Sequence, residues 1–140
     1  MPRMRRFKKW MFSVREAERS AIDIILWWEL RRIPYNIIVG IAGLFSLPLF
    51  YFFISRTNVL KPGEDAVEPI ALLAAPVVMN ICYTAGWVVE GFLEKARSDE
   101  EEVLGPTLLR SGLKLSLFVI ILPSLFWGGY WLSQVVGLNK

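Results

Sequence analysis

Apolar and charged residues alternate in long blocks along this chain. Apolar runs occupy residues 35–54, 70–92 and 112–136, and the charged residues cluster before and between them. A helix that crosses a bilayer needs about 20 mainly apolar residues, and each run is near that length. A water-soluble bundle would need charged faces along these runs, which have none. The pattern predicts an all-α, polytopic membrane protein, with three transmembrane helices in a single domain, 1–140.

The segment before the first run, residues 1–34, is expected to be a basic segment at the membrane interface, with an amphipathic helix over residues 14–32. Within residues 14–32, charged and apolar side chains take different sides of a helix. Pro34 disfavours helical geometry at Ile33, so we expect the chain to turn there into the first span. Basic and aromatic side chains of this kind are typical of contact with anionic lipid headgroups, although a charge cluster that only sets orientation is the alternative. The candidate membrane-surface residues are Arg5, Arg6, Lys8, Lys9, Trp10, Trp27, Trp28, Arg31 and Arg32.

Residues 94–106 predict a short cytoplasmic loop between the second and third spans. Ser98 and Glu101 have the spacing of a capping box, which favours a short helical turn. Gly105 and Pro106 are then expected to end that turn.

Composition narrows the possible chemistry. Apolar residues make up 54% of the chain and charged residues 21%, and the net charge is +3. The chain has no histidine and one cysteine, Cys82, so the usual ligands for zinc or haem and the usual histidine base are missing. No nucleophile elbow or phosphate-binding glycine loop is present either. We therefore expect no enzyme activity, no cofactor and no metal.

The distribution of Lys and Arg predicts the orientation in the membrane. Nine of them precede the first span, two lie in the first loop, four lie in or beside the second loop and one lies at the C-terminus. Cytoplasmic segments carry the excess of basic residues. The N-terminus is therefore expected in the cytoplasm and the C-terminus outside. A basic segment joined directly to a span favours anionic lipid over nucleic acid as its partner.

The second span carries polar residues on one helical face. Asn80, Tyr83, Trp87 and Glu90 follow a 3,4,3 spacing, which places them on one side of a helix. A carboxylate within a span normally faces a partner or a water-filled space. Glu90 is either a structural ion pair, for which Lys114 is the candidate partner, or a functional group in a cation or proton path. These five residues are the candidates for a pore or for a helix interface.

One part of the chain resembles small inner-membrane proteins of bacteria. The resemblance rests on the segment Trp27-Trp28-Glu29-x-Arg31-Arg32-x-x-Tyr35-Asn36 and on Asn80-x-x-Tyr83 in a later span. It implies a bacterial inner membrane, and it implies no activity. The pattern of apolar runs implies that the chain crosses this membrane several times.

Two functional hypotheses follow from this pattern. The first is a non-enzymatic accessory, scaffold or effector subunit that assembles with its own copies or with a membrane partner through the polar face of the second span. The alternative is a homo-oligomeric ion or proton channel lined by Asn80 and Glu90.

Overall fold

The structure is a computed structural model that describes residues 2–14, 20–61, 63–95 and 104–137. These ranges contain four α-helices: α1 (Pro2–Phe12), α2 (Ala21–Ile54), α3 (Pro69–Lys95) and α4 (Leu104–Val135). Three of them, α2, α3 and α4, are long and apolar enough to cross a membrane. The prediction of an all-helical chain with three candidate spans is confirmed.

Helix α2 runs without interruption through the predicted turn at Pro34, so that prediction is wrong. The helix has 34 residues, which at about 1.5 Å per residue is about 51 Å, longer than a hydrocarbon core. Pro34 removes one backbone hydrogen bond and disfavours helical geometry at the residue before it. Trp28 and Tyr35, on the two sides of Pro34, are buried, and both rings pack on the ring of Tyr83 on α3, so the helix is anchored before and after the proline.

The start of α2 is set by a capping box that the sequence analysis missed. The Ser20 hydroxyl oxygen accepts a hydrogen bond from the Asp23 backbone N–H at 3.2 Å, and the Asp23 carboxylate accepts one from the Ser20 N–H at 3.0 Å. These two bonds satisfy amide groups that have no partner within the first turn. The interfacial helix predicted over residues 14–32 is therefore replaced, from Ala21 onward, by the beginning of α2.

Helix α4 begins at Leu104, well before the predicted start of the third span at residue 112. Gly105 and Pro106 lie in its first turn, so the prediction that they end a helix is wrong. Proline is tolerated in a first turn because its missing N–H would have no helical partner there. The predicted capping box at Ser98 and Glu101 lies outside the described residues.

Helices α2 and α4 pack against each other along most of their length. The Ser46 hydroxyl donates to the Ile120 carbonyl at 2.7 Å, and the Ser124 hydroxyl donates to the Ser46 carbonyl at 2.8 Å. Nearer one end of the bundle, the Tyr35 and Ser116 hydroxyls share a hydrogen bond of 2.8 Å. Buried hydroxyls that bond across two helices are a common way to hold membrane helices together.

Helix α3 packs on this pair from residue 79 onward. Residues 69–78 are exposed without exception, whereas Tyr83 and Glu90 are buried against the other helices. The main core cluster lies at the same end of the bundle and joins all four helices: Met11, Ile24, Trp27, Trp28, Tyr35, Tyr83 and Leu109. Residues 69–78, at the N-terminal end of α3, are consequently left uncovered by the other described helices.

Candidate functional site

Glu90 is enclosed at the junction of three helices. Its side chain has 0% exposure, and its carboxylate accepts a hydrogen bond of 2.5 Å from the indole Nε1 of Trp28 on α2. The same carboxylate accepts one of 3.0 Å from the backbone N–H of Gly105, in the first turn of α4. The positive end of a helix dipole stabilises a carboxylate in this position. Glu90 therefore connects α3 to both of the other long helices.

Two glycines provide the space that this junction needs. A Cβ atom on Gly105 would lie 2.6 Å from Oε1 of Glu90, and one on Gly86 would lie 2.7 Å from Cη2 of Trp28. Real Cβ atoms do not approach other atoms so closely. The Trp28 indole and the Glu90 carboxylate can take their places because neither glycine carries a side chain.

The predicted ion pair between Glu90 and Lys114 does not form. Lys114 is exposed, and it lies nine residues beyond Gly105 on α4, roughly 13 Å further along the helix axis. The physical reason is the early start of α4. Its N-terminal turn, and not the later lysine, lies at the level of Glu90.

Asn80 pairs with an asparagine of the first span. The two side-chain amides of Asn80 and Asn36 exchange hydrogen bonds, each of 3.1 Å. The Asn80 amide also donates to the Pro76 carbonyl, one turn earlier, at 2.9 Å. The sequence analysis did not name Asn36 as a candidate site residue. Like Asn80, Asn36 is a polar residue within an apolar run, and this feature is visible in the sequence.

Arg32 extends this polar group toward the surface of the bundle. Its guanidinium donates to the Glu29 carboxylate at 2.6 Å and to the Thr84 hydroxyl at 3.0 Å, with a longer contact of 3.5 Å to Asn80. Its Nε is buried and has no hydrogen-bond partner in the part of the chain that the structure describes. Sequence reasoning did not connect Thr84 with this group, because no local pattern pairs residues 52 positions apart. The pair of Glu29 and Arg32 is local, with a spacing of three residues, and it was missed.

Tyr83 is buried between helices, whereas Trp87 is only half-buried. The Tyr83 side chain is 4% exposed; its hydroxyl donates to the Trp28 carbonyl, and its ring packs on the rings of Trp28 and Tyr35, with centroid distances of 5.2 and 4.6 Å. Trp87 is half-buried beside a small pocket of about 180 Å³, and its indole N–H has no partner within the described ranges. Tyr83 is thus a helix-interface residue within one protomer.

Arg31 holds the C-terminal end of α1. It is 5% exposed, and its guanidinium donates to the carbonyls of Met11 at 2.9 Å, Trp10 at 2.7 Å and Ser13 at 3.2 Å. It lies over the Trp27 ring, 4.0 Å from the centroid, and the Trp27 indole also donates to Ser13. A cation at a helix C-terminus satisfies carbonyls that have no helical partner.

The candidate membrane-surface residues divide into three groups. Trp27, Trp28 and Arg31 are buried within the protein, so their side chains contact other protein groups rather than an open surface. Their hydrogen-bonding groups are used by α1, Glu90 and the backbone of α2 instead. Arg32 is half-buried, and the remaining candidates are exposed on α1: Arg5, Arg6, Lys8, Lys9 and Trp10.

An open groove of about 800 Å³ follows α3 beside this polar group. Apolar side chains form most of its lining, and its polar groups come from Arg32, Asn80 and Thr84. The groove therefore offers an apolar path along the helix with amide, hydroxyl and guanidinium groups at its centre. The apolar lining consists of Pro76, Val77, Ile81, Ala85, Val88 and Val89.

In comparisons with known proteins, no family model matches the chain, and no curated protein or solved structure shows significant similarity to it.

Proposed function

We propose that this protein is a non-enzymatic membrane subunit, an accessory or scaffold protein, that assembles through the groove along α3. The observation that carries the proposal is the group of polar side chains in that groove, Arg32, Asn80 and Thr84, within an otherwise apolar lining. The occupant that fits is a transmembrane helix, from another copy of the chain or from a partner protein.

The exposure of these polar groups supports a protein partner. Polar side chains within transmembrane helices normally face protein or water, because lipid tails cannot hydrogen-bond to them. The Arg32 side chain is 26% exposed and that of its partner Glu29 44%. A helix in the groove that carried a hydrogen-bond acceptor would bond to Arg32 and remove both groups from lipid.

The incomplete packing of α3 points the same way. All of residues 69–78 are exposed, so the first ten of the 27 residues of this helix are not buried by their own protomer. Pro76 and Val77 belong both to this exposed segment and to the groove. One partner helix in the groove would cover the polar group and part of the exposed segment together.

The environment of Glu90 weighs against the channel alternative. A residue that lines a pore must reach the aqueous path, whereas the Glu90 side chain has 0% exposure and bonds to Trp28 and Gly105. Asn80, the other proposed pore residue, is paired with Asn36 inside the protomer.

The membrane and the orientation are part of the same proposal. We place the protein in a bacterial inner membrane, on the resemblance of its first segment, with the N-terminus in the cytoplasm and the C-terminus outside. The excess of Lys and Arg before the first span supports this orientation.

The test is the native mass of the protein, extracted from its membrane into lipid nanodiscs, for the wild type and two variants. Ile81→Trp fills the groove with a bulky ring, and Ile81 is 63% exposed, so the protomer itself can accept the ring. Ile121→Trp is the matched control, since Ile121 is 40% exposed on α4 and does not line the groove.

We expect the wild type and Ile121→Trp to be complexes heavier than one protomer. Ile81→Trp should release the protomer, because the added ring occupies the space of the partner helix. A wild type that is monomeric without any bound protein, or an Ile81→Trp variant that keeps the full complex, would overturn the proposal.

A further inference from the structure

Helix α1 has a basic side and an apolar stripe, and the stripe extends from the buried core to the exposed end of the helix. Its sequence has five cationic residues and no acidic one, and all five cations are exposed: Arg3, Arg5, Arg6, Lys8 and Lys9. Met4, Phe7 and Met11 follow a spacing of three and four residues, which places them on one face of the helix. Arg5 and Lys9 lie on the opposite side.

The apolar stripe is buried at one end and exposed at the other. Met11 is 2% exposed and belongs to the main core cluster, whereas Phe7 is 44% and Met4 78% exposed. Trp10, beside the stripe, is 42% exposed, and its ring lies 6.1 Å from that of Phe7. The side chains that point away from the core therefore form an apolar strip without a cover in the described protein.

The orientation of α1 follows from its fixed end. Arg31 binds the carbonyls of Trp10, Met11 and Ser13, so the last turn of the helix is held against α2. Arg110 of α4 lies over the Phe12 ring, 4.9 Å from the centroid, and adds a contact to the same end. The helix is thus attached at one end of the bundle, which is where a bilayer crossed by the three long helices would have its surface.

We propose that α1 lies on the anionic phospholipid surface of the membrane that the three long helices cross, with Met4 and Phe7 in the acyl boundary and the cations among the phosphates. An amphipathic helix with basic and aromatic residues binds such a surface through burial of its apolar side chains and through attraction between its cations and the anionic headgroups. Nucleic acid would use the cations but would leave Met4 and Phe7 in water. This inference does not depend on the assembly proposed for the α3 groove.

The test is the depth of two spin labels on the full chain in nanodiscs. In a Cys82→Ser background, one label is attached at Met4→Cys, on the apolar stripe, and the matched label at Lys9→Cys, on the basic side. Collision with a water-soluble nickel reagent is compared in discs of phosphatidylcholine and in discs that also contain phosphatidylglycerol. A second variant carries Arg5, Arg6 and Lys8 as glutamine, and its exposed positions should not affect folding.

In the anionic discs we expect the Met4 label to collide with nickel at least threefold less often than the Lys9 label. The difference should shrink in neutral discs, in high salt and in the glutamine variant. Equal exposure of the two labels, or equal protection of Met4 in both lipids, would overturn the proposal. So would an exposed Met4 label together with binding of a fluorescent oligonucleotide that the glutamine substitutions abolish, since the basic side would then serve nucleic acid.

Discussion

At the scale of single residues, the junction around Glu90 depends on two glycines, Gly86 and Gly105, because neither has a Cβ atom. Trp28 fits against α3 because Gly86 has no Cβ, and the Glu90 carboxylate reaches the first turn of α4 because Gly105 has none. Glycine in a helix interior is otherwise unfavourable, by about 1 kcal/mol relative to alanine. Not every glycine of α3 has such a role: Gly91 has no atom within 4 Å of the place its Cβ would take.

The two glycines of α3 should respond to alanine with opposite signs. Gly86→Ala places a methyl group 2.7 Å from Cη2 of the buried Trp28 ring, and overpacking of this kind costs about 1–3 kcal/mol. Gly91→Ala meets open space and should gain up to about 1 kcal/mol from helix propensity. Unfolding in detergent micelles by titration with a denaturing detergent measures both. Equal stability of the two variants would contradict this account of Gly86.

At the scale of the elements, one arginine decides where α1 lies. Arg31 bonds to carbonyls of Trp10, Met11 and Ser13 while also bonding to the Trp27 carbonyl of its own helix at 2.8 Å. An α-helix of 11 residues is marginal in water by itself, since isolated helices shorter than about 12–15 residues seldom persist. The contacts at its C-terminal end are what joins α1 to the bundle.

Arg31→Gln should loosen α1 without unfolding the long helices. Glutamine cannot supply the same donors, and hydrogen bonds to a charged group are each worth about 1.5–3 kcal/mol. We therefore expect amide-exchange protection in residues 2–12 to fall by about tenfold or more, which is the equivalent of about 1.4 kcal/mol. Arg56→Gln is the control, because Arg56 is exposed at the other end of α2. Unchanged exchange in α1, or an equal loss in both variants, would count against this role.

At the scale of the whole molecule, the ends of the bundle differ in charge. The end that carries α1, the start of α2 and the start of α4 also carries most of the Lys and Arg residues. The opposite end carries residues 55–68, with only Arg56 and Lys61. Because α2 and α4 lie side by side and parallel, Thr107 and α1 are expected on one side of the membrane and Asn58 on the other.

Cysteine labelling in intact cells tests this orientation. In a Cys82→Ser background, Asn58→Cys and Thr107→Cys both place a thiol at an exposed position. We expect a membrane-impermeant maleimide to label Asn58→Cys from outside and to label Thr107→Cys only after the cells are permeabilised, because the basic end stays in the cytoplasm. The reverse pattern would show that the charge distribution does not set the orientation of this protein.

The three candidate spans could be predicted from the sequence because length and apolar content are properties of each segment alone. The capping box of Ser20 and Asp23 was equally local, and the Asn36 signal was present in the first span, but neither was recognised. The continuity of α2 through Pro34 and the start of α4 at Leu104 could not be predicted, because local preferences there favour a break.

The tertiary structure decided which polar residues meet. Trp28 and Glu90 are 62 residues apart, and Asn36 and Asn80 are 44 apart, so no local pattern records either pair. A carboxylate in a span needs a partner, and the sequence determined that need for Glu90. It offered Lys114 as the nearest opposite charge, whereas the packing of α4 brought its positively polarised N-terminus to the carboxylate. Burial of Arg31 and exposure of the α1 stripe depend in the same way on how the helices pack.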